Sequence, residues 1–262
     1  MLASSPDSTC AEIDTCARAA LVTGGASGIG LAVVRQLLSE GWHVHVADAD
    51  TSALDALRPW ANLHAERVTL VTLDVCDERS VIQAVKAVRS SAPLKGVVNS
   101  AGIGKSVSFM DTTSEMFLRV LEVNLLGTFR VCHAAASEML SGGAIVNISS
   151  GSGLRANQGR TAYGASKAAV ELMSKVMAVE LAAQSIRVNT VAPGPVETPL
   201  VAAMHTDADR RRALAAVPMR RYGQPQDIAQ SVVFLLDEQR SGYVTGETLC
   251  VDGGFFAAGQ FG

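Results

Sequence analysis

No stretch of these 262 residues is apolar enough, for long enough, to span a bilayer, so no membrane partner is expected. Excess charge is also missing. Lys and Arg number 22 against 25 Asp and Glu, a net charge of −3, which argues against a polyanion-binding surface and so against nucleic acid as a partner. Cysteines are few and odd in number, at positions 10, 16, 76, 132 and 250, with no C-x-x-C spacing. That argues against a disulfide framework or a Cys-based zinc site and fits a reducing, cytoplasmic setting. His43 and His45 alternate on a predicted strand with no third ligand evident, so no metal is expected. Residues 1–17 have neither a basic start nor an apolar core; they read as a loose N-terminal extension rather than a signal peptide.

What is present is a globular composition, 48% apolar and 18% charged, in a strict rhythm. Short runs rich in Val, Ile, Leu and Thr lie at 19–23, 44–48, 68–72, 96–99, 144–149, 186–192 and 248–252. Helical patterns fill the intervals at 29–40, 79–91, 114–140, 162–184 and 225–237, with a weaker one at 52–61. This alternation predicts a single α/β domain over 18–262: a doubly wound parallel sheet of about seven strands with helices on both faces. The rhythm breaks at 193–222, where Pro193, Pro195, Pro199 and Pro218 predict an inserted loop with a short helix, suited to covering a substrate.

The first strand runs into Thr23-Gly24-Gly25-Ala26-Ser27-Gly28-Ile29-Gly30. Glycines here let the backbone approach a pyrophosphate, and a helix N-terminus offers free N–H groups and a positive dipole end. The spacing of Gly24, Gly28 and Gly30 is a variant of the general dinucleotide fingerprint. Asp48 closes the second strand, where a carboxylate can accept from adenosine ribose hydroxyls and repel a 2′-phosphate. No Lys or Arg lies in 23–34 or beside Asp48, which favours NAD over NADP.

Further on, Ala162-Tyr163-Gly164-Ala165-Ser166-Lys167 opens a helix, with Tyr163 and Lys167 one turn apart on one face. Such a pair can be simple packing. It can also be a phenol whose neighbouring cation makes it a usable acid or base, since an unperturbed Tyr, with a pKa of about 10, is a poor base at neutral pH.

Together these motifs resemble the short-chain dehydrogenases/reductases, over about 19–254. The resemblance rests on Thr23 to Gly30, Asp74-Val75, Asn99-Ser100-Ala101-Gly102 with Ser in place of a second Asn, Val123-Asn124-Leu125, Ser150, Tyr163-x-x-x-Lys167 and Pro193-Gly194-x-Val196-x-Thr198. It implies an NAD-dependent oxidoreductase interconverting a secondary alcohol and a ketone. Tyr163 would exchange the substrate proton, and Lys167 would lower its pKa and hold the nicotinamide ribose. Ser150 would bond the substrate oxygen, and Asn124 would position a relay water. The implied cofactor contacts are Gly24, Ser27, Gly28, Ile29, Gly30, Asp48, Asp74, Val75, Asn99, Ala101, Gly102, Tyr163, Lys167, Pro193, Val196 and Thr198. The Ser100 departure implies altered hydrogen bonding around the central strand. An NADPH-dependent ketoreductase resembling the 3-oxoacyl-carrier-protein reductases is the second reading, opposed by Asp48. A non-catalytic NAD-sensing regulator is the third, opposed by the complete Asn124, Ser150, Tyr163 and Lys167 set.

Substrate contacts are expected from segments the motifs leave open: Ser150, Ser152, Leu154, Asn157 and Gln158, then Val196, Leu200 and Met204. Most are apolar or neutral, which points to an uncharged, moderately apolar small molecule. The resemblance suggests a homotetramer. Apolar residues on more than one face of the helices at 114–140 and 162–184, and Phe255, Phe256 and Phe261 near the C-terminus, supply two sticky surfaces.

Overall fold

A computed structural model of the protein describes residues 18–89 and 92–258. The expected N-terminal extension, Cys10, Cys16 and Phe261 lie outside the described residues. Strands β1 (Ala19–Thr23), β2 (His43–Asp48), β3 (Val68–Thr72), β4 (Leu94–Asn99), β5 (Gly143–Ile148), β6 (Ile186–Pro193) and β7 (Thr248–Val251) form one seven-stranded sheet. Its order is β3-β2-β1-β4-β5-β6-β7, and every pairing is parallel. The helices are α1 (Gly28–Ser39), α2 (Thr51–Asn62), α3 (Glu78–Arg89), α4 (Ser114–Leu121), α5 (Thr128–Glu138), α6 (Gly151–Leu154), α7 (Thr161–Leu181), α8 (Pro199–Met204), α9 (Asp207–Ala216), α10 (Pro225–Leu236) and α11 (Glu238–Ser241).

Because side chains alternate along a strand, the sheet divides its apolar residues between two layers. Ala20 and Val22 pack with Val33 and Leu37 of α1 and Ile228 and Val232 of α10. Ala19 and Leu21 pack with Val81 and Val85 of α3 and Val131 and Ala135 of α5. All five residues of β1 are buried, as a central strand covered on both faces requires. The order reverses between β1 and β4, so the loops leaving their C-terminal ends diverge and open a crevice. No helix among the described residues is long and apolar enough to cross a membrane.

Three stretches depart from the sequence expectation. The helix expected at 114–140 is not continuous: a π-helical stretch, Glu122–Gly127, separates α4 from α5. Within it the Asn124 side chain is held by the main chain of Ile103, and the Thr128 hydroxyl donates to the Asn124 carbonyl at 2.8 Å. The segment 193–222 holds two helices, α8 and α9, rather than one. Each has its own N-cap, from Thr198 and from a Thr206–Asp209 capping box. Helix α7 stops at Leu181; a 3-10 turn, Ala182–Gln184, follows and ends at Ser185 in the left-handed region, φ 59°.

Candidate active site

The crevice is built from strand ends. Gly24 has φ 63°, and a Cβ there would lie 2.7 Å from the Ala101 nitrogen, so only glycine lets the loop after β1 meet the loop after β4. A Cβ on Gly30 would lie 2.1 Å from the Gly24 carbonyl oxygen, which shows how closely α1 seats on the loop. Ser27, the N-cap of α1, has extended backbone and makes no side-chain cap bond. The first-turn N–H groups of α1 therefore face the crevice without the usual capping oxygen. Asp48 Oδ2 accepts from the Ala26 amide and Oδ1 from the Asp50 amide, both at 3.1 Å, which fixes the carboxylate at the end of β2 beside the glycines. The uncapped helix end, the glycine cradle and the fixed carboxylate fit a dinucleotide.

The remaining expected cofactor positions differ in what they offer. Asp74 Oδ1 accepts from the Cys76 amide at 2.9 Å, and Val75 packs against Gly127 of the π-helical stretch. The Ala101 amide donates to Thr23 Oγ1 at 3.3 Å. Asn99 is turned inward: its Nδ2 donates to Asn147 Oδ1 at 2.8 Å and to Cys132 Sγ at 3.1 Å, inside the sheet. Asn147 in turn donates to Ser174 Oγ at 2.8 Å. The central strands are thus braced through the Asn99 Nδ2; its Oδ1 is buried without a partner among the described residues, and its main chain remains to meet a ribose. Thr198 and Pro199 stand over Gly28, where a Cβ would meet Thr198 at 3.5 Å; Val196 is buried and bridges to Gly223.

Asn124, Ser150, Tyr163 and Lys167 come together around the loop after β4. A Cβ on Gly102 would lie 3.2 Å from Asn124 Oδ1 and 3.6 Å from Lys167 Nζ. Asn124 is fully buried; its Oδ1 accepts from the Ile103 amide at 2.8 Å, and its Nδ2 donates to the Ile103 carbonyl at 2.9 Å and to Ser166 Oγ at 3.0 Å. Lys167 Nζ donates to the Ile148 carbonyl at 2.8 Å and lies 5.8 Å from the Tyr163 ring centroid. Burial pulls Lys167 down to about 8. Burial also raises the Tyr163 phenol, opposed by its hydrogen bond with Ser150 and by the charge of Arg160. Ser150 Oγ accepts from the Ser152 amide at 3.2 Å and so opens α6.

Of the expected substrate contacts, Met204 comes against the site: a Cβ on Gly104 would lie 3.1 Å from the Tyr163 ring and 3.5 Å from Met204 Sδ. Ser152 accepts from Asn157 Nδ2 at 2.9 Å, Leu154 is half-buried, and Gln158 and Leu200 are exposed. Sequence reasoning passed over Arg160. Its guanidinium lies 5.8 Å from the Tyr163 ring centroid, with Nη1 on Met204 Sδ at 3.1 Å and Nη2 3.3 Å from His205 Nε2. The available signal was its place at the N-cap of α7, three residues ahead of Tyr163. A separate cavity of about 600 Å³, lined by Glu197, Arg210, Tyr222 and Asp227 among others, includes none of these catalytic candidates.

A family model described as enoyl-(acyl carrier protein) reductase matches residues 24–256. Carbonyl reductase family member 4 of Danio rerio is 38% identical over 239 residues, 90% of this chain and 97% of the relative. The 3-oxoacyl-[acyl-carrier-protein] reductase FabG of Thermotoga maritima is 38% identical over 237 residues, 89% and 96% of the two chains. The crystal structure of gox2181 superposes with a TM-score of 0.85 at 37% identity, covering 92% of this chain and 96% of that one.

Proposed function

The chain belongs to the short-chain dehydrogenase/reductase family, an oxidoreductase acting on carbonyl or alcohol groups, and we propose that it uses NAD to interconvert a secondary alcohol and a ketone. The observation that carries this reading is the meeting of Asn124, Ser150, Tyr163 and Lys167 around Gly102 at the open end of the sheet. A bound nicotinamide supplies the hydride chemistry. The chain must then align the substrate and manage one proton.

Tyr163 gives and takes that proton at its phenolic oxygen. Burial holds the phenol above its ordinary range in the chain alone, opposed by the Ser150 hydrogen bond and the charge of Arg160 rather than by Lys167 as the sequence led one to expect; Lys167 stands 5.8 Å from the ring centroid. The Ser150 hydroxyl, already bonded to the phenol, donates to the substrate oxygen as charge develops there. Lys167 uses one N–H on the Ile148 carbonyl and keeps donors for a ribose hydroxyl. Asn124 holds Ile103 through both its amide groups, which keeps Gly102 against Lys167.

Asp48, without a basic neighbour in 23–34, supports NAD as the cofactor. The second reading, an NADPH-dependent ketoreductase, has the reductase names of the relatives on its side and the Asp48 charge against it. We further read the protein as a cytoplasmic homotetramer. One apolar patch, with Leu118, Phe129, Leu172 and Val179 exposed, would pair α4, α5 and α7 across a two-fold axis. A second, with Phe234, Tyr243, Leu249 and Phe256 exposed, would pair the β7 edge. Light scattering checks this; a fully active monomer would refute it.

The deciding experiment titrates NADH and NADPH and then follows turnover with a ketone panel. Tyr163→Phe should keep NADH affinity and lose about 10²–10⁴-fold in kcat. Near-normal turnover in that variant would overturn the mechanism, and a wild-type preference for NADPH would overturn the cofactor assignment.

A further inference from the structure

Several arginines on the segment over the crevice have carboxylate partners, while Arg220 donates to the Leu214 and Ala215 carbonyls. Arg210 pairs with Glu197 at 2.7 Å, Arg221 with Asp227 at 2.6 Å, and Arg212 with Asp209. The guanidinium of Arg160 holds neither a carboxylate nor a main-chain carbonyl among the described residues. Among the described residues its hydrogen-bond partners are the Met204 thioether and an imidazole nitrogen of His205. Burial and the charge of Arg160 itself hold His205 below its ordinary range, so both partners are neutral acceptors at neutral pH, and the thioether is a weak one. A half-buried guanidinium whose direct partners are a thioether and an imidazole, with Glu197 and Asp209 reaching only as far as that imidazole, keeps both terminal nitrogens available to a stronger, anionic acceptor.

Its position says whose anion that would be. Arg160 immediately precedes α7, and Gly104, Met204 and the Tyr163 ring meet beside it. The two terminal nitrogens that now hold Met204 and His205 are the pair that a planar carboxylate would take in bidentate fashion. With the guanidinium 5.8 Å from the Tyr163 ring centroid, a molecule that bonds both groups would be a small one.

We propose that Arg160 anchors a carboxylate-class group on the substrate, so that the preferred substrates are short oxo acids and the corresponding hydroxy acids. This replaces the expectation of an uncharged substrate, and it rests on Tyr163 as the proton-transfer residue.

The test compares 2-oxobutanoate, 3-oxobutanoate and 4-oxopentanoate with their methyl esters in the wild type, Arg160→Gln and Arg160→Lys. The quantity read is the acid-to-ester ratio of kcat/KM. Any common effect of Arg160 on Tyr163, or on the packing of Met204 and His205, lowers both members of a pair and cancels in the ratio. The ratio should exceed about tenfold for at least one acid in the wild type, collapse to near one in Arg160→Gln and survive in part in Arg160→Lys. A wild-type ratio near or below one, or a ratio unchanged in Arg160→Gln, overturns the proposal. Thermal shift in the presence of NADH gives a readout free of turnover. The oxo acids should raise the melting temperature of the wild type more than their esters do, and this difference should vanish in Arg160→Gln; equal shifts overturn the anchor. Absence of turnover with acids, esters and neutral ketones alike would instead count against the proton-transfer reading of Tyr163, while the thermal shifts still decide the anchor.

Discussion

Helices α1 and α9 begin in opposite ways. At α9, Thr206 Oγ1 accepts from the Asp209 amide and Asp209 Oδ2 accepts from the Thr206 amide, a closed reciprocal cap. At α1, Ser27 offers no such bond. The contrast extends to the surroundings. Over the crevice, Thr198 caps α8, Arg210 grips Glu197 through both oxygens, and His205 meets Tyr222 at 2.9 Å. That segment satisfies its polar groups internally. At the glycine loop the Gly25 and Ala26 amides are held by the end of β2, but the first turn of α1 is left without a side-chain cap. Local self-satisfaction marks structure that only needs to stand; its absence at a rigid, well-packed place marks structure prepared for something else.

The strongest way to break the contrast is Gly30→Ala. The added methyl would lie 2.1 Å from a main-chain oxygen that cannot move without unseating α1, so a loss of about 3 kcal/mol and of NADH binding is expected. Gly41→Ala is the control: its φ of 84° is also left-handed, but nothing lies within 4 Å, and about 1 kcal/mol should be lost with NADH affinity intact. Denaturant titration and cofactor fluorescence check both.

Lys167 belongs to the unsatisfied side of the comparison. The folded chain releases its proton at about 8, whereas the unfolded chain holds it to about 10.5. Between those values the unfolded state binds more protons, so stability rises with pH there and the penalty for the charge is fully present below pH 8. Against Lys167→Met, which has no such titration, the wild type without cofactor should gain about 2–3 kcal/mol from pH 7 to pH 10.5. A flat difference would show that the buried ammonium is not strained.

Asp48→Ala removes charged hydrogen bonds at the β2 end and should weaken NADH by about 1.5–3 kcal/mol while improving NADPH. Calorimetry with both cofactors checks it. The smallest effect is expected on the other side of the contrast. Thr206→Ala opens the α9 cap and should cost about 1 kcal/mol, with no change in NADH affinity.

The sheet was legible because its strands are short, β-branched and buried on both faces, so apolar runs alone locate them: β1 and β3 lie at the expected residues. The glycine loop and the Tyr163–Lys167 spacing were legible because local geometry dictates both. Asn99 shows one limit. Its motif position marked it as a cofactor contact, but only packing reveals that its amide nitrogen is occupied by Asn147 and Cys132, 48 and 33 residues away. Arg160 shows another. Its importance lies in partners from α8 and the residue after it, which no local pattern brings near. Of the two helices of 193–222 one was expected; the prolines obscured that there are two, although Pro199 in fact starts α8, where a missing N–H costs nothing.

The π-helical stretch at Asn124 also bears on chain length. A turn closed by i to i+5 bonds contains one residue more than an α-turn. Deleting a single residue between Leu125 and Gly127 would let the helix wind normally while α4 and α5 keep the faces they now present. The damage would fall on Asn124 and its hold on Ile103. Relatives whose helix winds regularly here would align with this chain across a gap of one residue. That indel would be a historical mark of the position, visible without any structure.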